Sequence, residues 1–302
     1  MLRGALMLAT LRDTYRCFST HGGRVLGAAT AFYALLSVAP MLLIAIAIAD
    51  ALTAEPHARG EVVRDVSRWV GESGGRVLGE LLDGLAQSHH GPVAGIVGGA
   101  LLLYASQRLF SQMRFALNQM WGVREVSGGG LKATAMKQLR KRAAALAMVV
   151  LVVLVVVSTV LAKTSLMAAR GALVPRVSGI WQGVELVTSF VALVVLVVAI
   201  YKVLPSALIS WRDAAVGAIV TAVLFTAGAY AVSWYVGVKS GGSAYGAAGS
   251  LVALLLWVSY TAQVFFFGAA FARVQAERHG HGITPAAGAV RVVEAPSDDR
   301  GT

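Results

Sequence analysis

The chain is short of the residues from which soluble enzymes are built. Only 14% of its 302 residues are charged, six are histidines and one is a cysteine. A lone cysteine, Cys17, excludes a disulfide framework and leaves the redox compartment open. In its N-terminal setting it reads first as a small apolar residue. There is no His-Glu-x-x-His, no Cys-x-x-Cys, no phosphate-cradling Gly-Lys-Thr loop and no Gly-x-Ser-x-Gly elbow. The paired histidines His89-His90 and His279-Gly280-His281 have no fixed acidic partner, so neither a metal site nor a cofactor is expected. The first 27 residues carry Arg3, Arg12, Arg16 and Arg24 around a short apolar stretch, which does not fit a cleaved signal peptide.

What remains is apolar. Hydrophobic residues make up 57% of the chain and the mean hydropathy is +0.70, whereas a soluble chain has roughly 45–50% apolar and about 25% charged residues. Runs of about 20 apolar residues, enough to cross a hydrocarbon core of about 30 Å, recur along the chain. They predict an all-α membrane protein, a bundle of six transmembrane helices, with spans near 28–52, 92–110, 143–167, 181–204, 213–236 and 247–272.

Residues 1–27 are expected to form a cytoplasmic helix lying in the membrane interface. Leu8, Leu11, Tyr15 and Phe18 share a face there, with Arg12 and Arg16 beside it. In the external segment 53–90, the stripes Val62/Val66/Trp69 and Leu78/Leu81/Leu85 predict two short amphipathic helices. The charged, Gly- and Pro-rich end, 273–302, is expected to be a disordered cytoplasmic tail.

The net charge of +11 raises nucleic acid as a partner, but its distribution argues otherwise. With the N-terminus inside, 18 Lys and Arg fall in the inner connections and 8 in the outer ones. That asymmetry predicts both termini in the cytoplasm. The Lys132/Lys137/Arg140/Lys141/Arg142 cluster suits anionic lipid headgroups. It has no interleaved aromatics on which bases could stack, so no nucleic-acid partner is expected.

Four blocks carry a resemblance. They are Ala28-Ala29-Thr30-Ala31-Phe32-Tyr33-Ala34-Leu35-Leu36-Ser37-Val38-Ala39-Pro40, Ala116-Leu117-Asn118-Gln119-Met120-Trp121-Gly122-Val123, Trp211-Arg212-Asp213-Ala214, and Tyr245-Gly246-Ala247-Ala248-Gly249-Ser250 leading into Leu254-Leu255-Leu256-Trp257. In this order and spacing, over roughly residues 24–278, the chain resembles the YihY/BrkB family of bacterial inner-membrane proteins. The resemblance implies a multi-pass protein of the bacterial cytoplasmic membrane with six spans. Members have carried the label ribonuclease BN, a misassignment, and that of a serum-resistance or virulence factor. The dense His/Asp arrays that hold nuclease metals are absent from this sequence. One departure is visible: the family ends its last span with Gly-Ala-Glu, and here the triplet is Gly268-Ala269-Ala270.

Charged groups within the spans are few. Asp50, Glu185 and Arg108 read first as interfacial residues reaching water, so a pump built on buried carboxylates is not expected. Uncharged polar residues are better organised. Thr30, Tyr33 and Ser37 share a face of the first span with Pro40, whose missing donor frees the Leu36 carbonyl and makes it a candidate hinge. Tyr104, Arg108, Ser111, Phe115 and Asn118 form a second stripe. Ser250, Trp257, Thr261 and Gly268, with Tyr260 alongside, form a third.

The stripes either line a cavity for an unknown solute or lipid substrate, or act as polar seams between helices. Gly95 and Gly99 have the spacing of a close helix contact. The leading expectation is a transporter without catalytic residues, working through a cavity between the first, second and sixth spans. A non-transporting cell-envelope scaffold is the alternative, and a membrane enzyme comes third.

Overall fold

Apolar segments punctuated by glycine become helices in the computed structural model, which describes residues 2–37, 91–126, 178–239, 246–280, 282–286 and 288–292. Outside these lie Pro40, the segment 53–90 expected to be an external loop, with His89-His90, the Lys132–Arg142 cluster, the expected third span 143–167, Asp50 and His281. The described chain is mostly helical: α1 (Leu2–Thr20), α2 (residues 23–37), α3 (Gly91–Met120), β1 (Val123–Glu125), α4 (Ser178–Val203), β2 (Ala207–Leu208), α5 (Trp211–Lys239), α6 (Gly246–Arg278), β3 (Thr284–Pro285) and β4 (Ala289–Arg291).

Among the described residues, three helices are long and apolar enough to cross a membrane. The stretches are Leu186–Val203 in α4, Trp211–Ala231 in α5 and Leu254–Arg278 in α6, with mean hydropathies of 2.5, 1.8 and 1.6. Their outward faces are apolar too. Val187, Val191 and Val195 form an exposed ridge along α4, and Ile219, Val223, Leu255 and Leu256 are exposed on α5 and α6. A continuous apolar surface of this kind is tolerated facing lipid and not water. With three such helices among the described residues, the chain is an α-helical membrane protein.

Helix ends follow local rules. The chain leaves α1 through Gly22, whose φ of +69° suits glycine. The Thr20 hydroxyl donates to the Arg16 carbonyl at 2.9 Å, and His21 Nδ1 lies 2.7 Å from the Cys17 carbonyl, which also accepts the His21 amide, so side chains reinforce the last carbonyls of the helix. α3 stops in the same way at Gly122, φ +62°. α5 begins with a capping box: Asp213 N–H donates to Ser210 Oγ at 3.1 Å, and the Ser210 hydroxyl donates to Asp213 Oδ2 at 2.7 Å.

The described chain divides into two compact units. One comprises 1–23, 114–228 and 264–302, and the other 24–113 and 229–263. The core of the first is the contact of α5 with α6. Ala214, Gly217, Ala218, Thr221 and Ala222 make a small-residue face on α5, opposite Gly268, Ala269, Ala272 and Ala276 on α6. The approach is close at both glycines. A Cβ on Gly217 would lie 2.6 Å from the Gly268 carbonyl, and one on Gly268 would collide with Thr221 Oγ1.

Aromatic donors then reach the backbone of α6. Tyr201 donates to the Phe265 carbonyl at 2.6 Å and lies 3.1 Å from Thr221 Oγ1, whose own proton goes to the Gly217 carbonyl. Trp121 Nε1 donates to the Ala269 carbonyl at 3.0 Å. The two rings meet edge-on with centroids 5.9 Å apart, and both are fully buried. Between lipid-bound helices, where burial of apolar surface contributes little, close packing and such hydrogen bonds are what remain to hold them. In the second unit α2 and α6 meet at Gly27, where a Cβ would stand 2.6 Å from Gln263 Cγ.

The expectation of a disordered tail from 273 is corrected for its described part. α6 continues to Arg278, β3 pairs antiparallel with β2 (Ala207↔Pro285, Leu208↔Thr284) and β4 with β1 (Val123↔Arg291, Glu125↔Ala289). Val292 N–H donates to the Gly122 carbonyl at 2.8 Å and Ala286 N–H to the Ser206 carbonyl at 3.0 Å. Low apolar content argues against a self-made core. It does not preclude main-chain pairing with loops whose own amides need partners. Residues 293–302 lie outside the described chain.

Two consequences are measurable. Tyr201→Phe removes a buried donor and is expected to cost about 1 kcal/mol, seen as a thermal midpoint in detergent lowered by a few degrees with the helical content unchanged. Gly268→Val forces a branched side chain into Thr221. A loss of about 1–3 kcal/mol or more is expected, read as a collapse of the monodisperse peak in size exclusion; an unchanged peak would refute the close approach.

Candidate functional site

The residues expected to face a cavity fall into distinct settings. On α2, Thr30 and Ser37 are buried, and each hydroxyl is spent on its own helix, Thr30 donating to Leu26 at 2.8 Å and Ser37 to Ala34 at 2.7 Å. Tyr33 is half-buried and lies edge-on to Phe32 with ring centroids 5.5 Å apart. On α6, Thr261 donates to the Trp257 carbonyl at 3.0 Å, and Trp257 stacks on Tyr260 at 5.8 Å. Ser250 lies within α6. These bonds satisfy hydroxyls in a medium that offers no water, and they leave the oxygen lone pairs as what a passing group could meet.

On α3 the structure brings Tyr104 and Arg108 together. Arg108 Nε donates to the Tyr104 hydroxyl at 3.1 Å, and the guanidinium carbon stands 5.1 Å from the ring centroid. Both side chains are exposed, as is Ser111. Among the described residues no carboxylate pairs with Arg108. A guanidinium resting on an aromatic face is stabilised by the ring quadrupole and keeps its outer N–H groups for another acceptor.

Asn118, grouped with these by helical spacing, does something else. It belongs to the other unit, is buried, and its Oδ1 accepts the Ser206 amide at 2.8 Å. Ser206 Oγ donates to Glu125 at 2.6 Å, and Arg114 stands 4.0 Å from the same carboxylate. Burial pulls the Arg114 guanidinium below its ordinary value, with Glu125 opposing the shift. Asn118 therefore ties the end of α3 to the α4–α5 turn.

Sequence spacing missed a second cluster, where the end of α1 meets the end of α6. Asp13, Cys17, His21, Arg273, Val274, Glu277 and Arg278 line a cleft of about 380 Å³. Arg273 donates to the Met120 carbonyl and to His21 Nε2, each at 2.8 Å, and its Nε to Glu277 at 3.0 Å. His21 therefore carries its proton on Nδ1, towards the Cys17 carbonyl, and accepts at Nε2. Arg278 reaches Thr10 at 2.6 Å and Asp13 at 2.5 Å.

Cys17 Sγ is 3.8 Å from His21 Nδ1. That nitrogen already donates to a carbonyl, so it is not placed as a base for the thiol. The cations and carboxylates of the cleft satisfy one another, and the cluster acts as a clasp on three helix ends. The i,i+4 pair Arg273/Glu277 was the one local signal of it in the sequence. Among the described residues no three His, Cys, Asp or Glu side chains stand close enough to hold a metal.

Residues 14–291 match the family model described as virulence factor BrkB. A UPF0761 membrane protein of Aggregatibacter aphrophilus is 39% identical over 79 residues, which make up 26% of this chain and 28% of that relative. The match thus spans less than a third of the relative's length. No solved structure matches the chain. The family match runs from within α1 to the last residue of β4 and takes in all the other helices described, so the chain belongs to the BrkB family of membrane proteins.

Proposed function

We propose that the chain is a six-span protein of the bacterial inner membrane, with both ends in the cytoplasm, that moves a solute or lipid along the polar faces of its first, second and sixth spans. It does so without forming or breaking covalent bonds. The observation that carries this reading is Arg108. It is an exposed cation on α3, supported by Tyr104 and without a carboxylate among the described residues. An arginine beside an apolar span is costly unless it meets water or an anionic group, and a passing phosphate or carboxylate is such a group.

The topology has separate support. The Arg278 bonds to Thr10 and Asp13 join the region before the first span to the end of α6, as an even number of crossings requires. The charge asymmetry favours the cytoplasm for that side. The scaffold reading keeps one observation in its favour: Thr30, Ser37 and Thr261 spend their hydroxyl protons within their own helices, as packing residues do.

Reconstituted into liposomes, the protein is expected to move a labelled anionic lipid or a polar anion. Arg108→Gln should lower the flux at least about tenfold, the loss of one charge-assisted contact of roughly 1.5–3 kcal/mol. Arg108→Lys should retain part of the flux, and both variants should keep the wild-type thermal midpoint. Folded wild-type protein that moves neither class of compound would end the transport reading. Loss of the protein itself on conservative change at Tyr33 or Trp257 would favour the scaffold.

A further inference from the structure

The turn between α4 and α5 joins two membrane-crossing stretches through seven residues, since one ends at Val203 and the next begins at Trp211. The residues that frame it therefore lie at one membrane surface. Lys202, in the last turn of α4, donates to the Ile209 carbonyl at 2.6 Å and sits 4.7 Å from the centre of the Trp211 ring. Its remaining protons have no acceptor among the described residues. Arg212 is exposed, and it too has no partner there. Trp211 is 68% exposed and Leu208 60%, and Val203, the last residue of the α4 stretch, is exposed too.

The arrangement differs from a bare helix start. The Asp213 amide donates to Ser210 Oγ and the Ala214 amide to the Ser210 carbonyl, and the Asp213 carboxylate is buried, accepting from the Ser210 hydroxyl with His279 3.9 Å away, so it does not face outward to compete.

Two exposed or half-buried cations and an exposed indole at the head of two apolar stretches match the layers of a lipid leaflet. The indole belongs at headgroup depth, the cations at the phosphates and Val203, in the last turn of the α4 span, at the acyl chains. We infer that Lys202, Trp211 and Arg212 form a binding site for the headgroup of an anionic phospholipid. The phosphate would sit between the ammonium and the guanidinium, and the Trp211 ring would fix Lys202 in place. Continuity with α4 and α5 selects a lipid of the leaflet as the occupant. The inference rests on the membrane-spanning reading of those two helices and is independent of transport.

Native mass spectrometry of the full chain in a neutral detergent tests it, with phosphatidylglycerol and phosphatidylcholine as probes. Phosphatidylglycerol should bind more tightly than phosphatidylcholine. Arg212→Gln should weaken it about fivefold, the contribution of one cation near a charged surface, and Lys202→Gln with Arg212→Gln about 25-fold. Arg124→Gln, which removes an exposed arginine of β1, should leave the affinity unchanged. In wild type, brominated phosphatidylglycerol should quench a fraction of the tryptophan emission that is missing in Trp211→Phe.

Arg212 is exposed, so its variant should fold as wild type does even if Lys202→Gln lowers the thermal midpoint. Equal affinity of wild type and Arg212→Gln, or equal binding of the two lipids, overturns the assignment. A protein that transports nothing can still pass this test, so its failure and that of the transport reading are separable.

Discussion

The arrangement of the first unit depends on how close α5 and α6 come at Gly217 and Gly268. Helices surrounded by lipid gain little from hiding apolar side chains from one another, because the lipid tails are equally apolar. Association is left to van der Waals contact and hydrogen bonds, and both need short distances. With two missing side chains the backbones meet, and Thr221, Tyr201 and the Phe265 carbonyl fall within bonding range. Trp121 then reaches the next turn of α6 and anchors the end of α3. A side chain at either glycine would displace the whole set.

Around that contact the helix ends are fastened by charge and by main chain. Arg273 answers the C-terminal carbonyl of α3 with a cation, where the helix dipole favours one. The same guanidinium holds His21 at the end of α1. Arg278 fastens α1 one turn further along. The segment after α6 adds two short strand pairings to loops that would otherwise leave amides unpaired. Cys17, His21 and the carboxylates of the cleft thus hold one another in place. Their closeness, which could suggest chemistry, is accounted for by the bonds that they make.

The family match and the apolar helices agree on a membrane protein. The substituents that could meet a passing molecule are the aromatic and cationic groups of α3 and α6. Hydroxyls that spend their protons on their own helix still accept bonds, so a polar path and a polar seam look alike at Thr30 or Thr261. Arg108 is different because it brings a full charge whose support, among the described residues, is a tyrosine. At the opposite extreme, the cations Lys202 and Arg212 flank a connection too short to hide them.

The sequence by itself determined the class of the protein. Segment length and hydropathy marked the stretches that became α4, α5 and α6, while α3 runs on to Met120 and α6 to Arg278, beyond the limits of 110 and 272 expected for their spans. Glycine punctuation and the Ser210-Trp211-Arg212-Asp213 pattern carried the caps, because caps are set by neighbours along the chain.

Tertiary structure alone decided what the polar residues do. Helical spacing placed Asn118 with Tyr104 and Arg108, yet its amide serves Ser206, 88 positions away. The same holds for the pairing of the tail with β1 and β2, which is made by backbone atoms that every residue shares. Composition and periodicity report which face a residue occupies. They cannot report which distant backbone group comes to meet it, because that depends on how closely glycine and alanine let the helices approach.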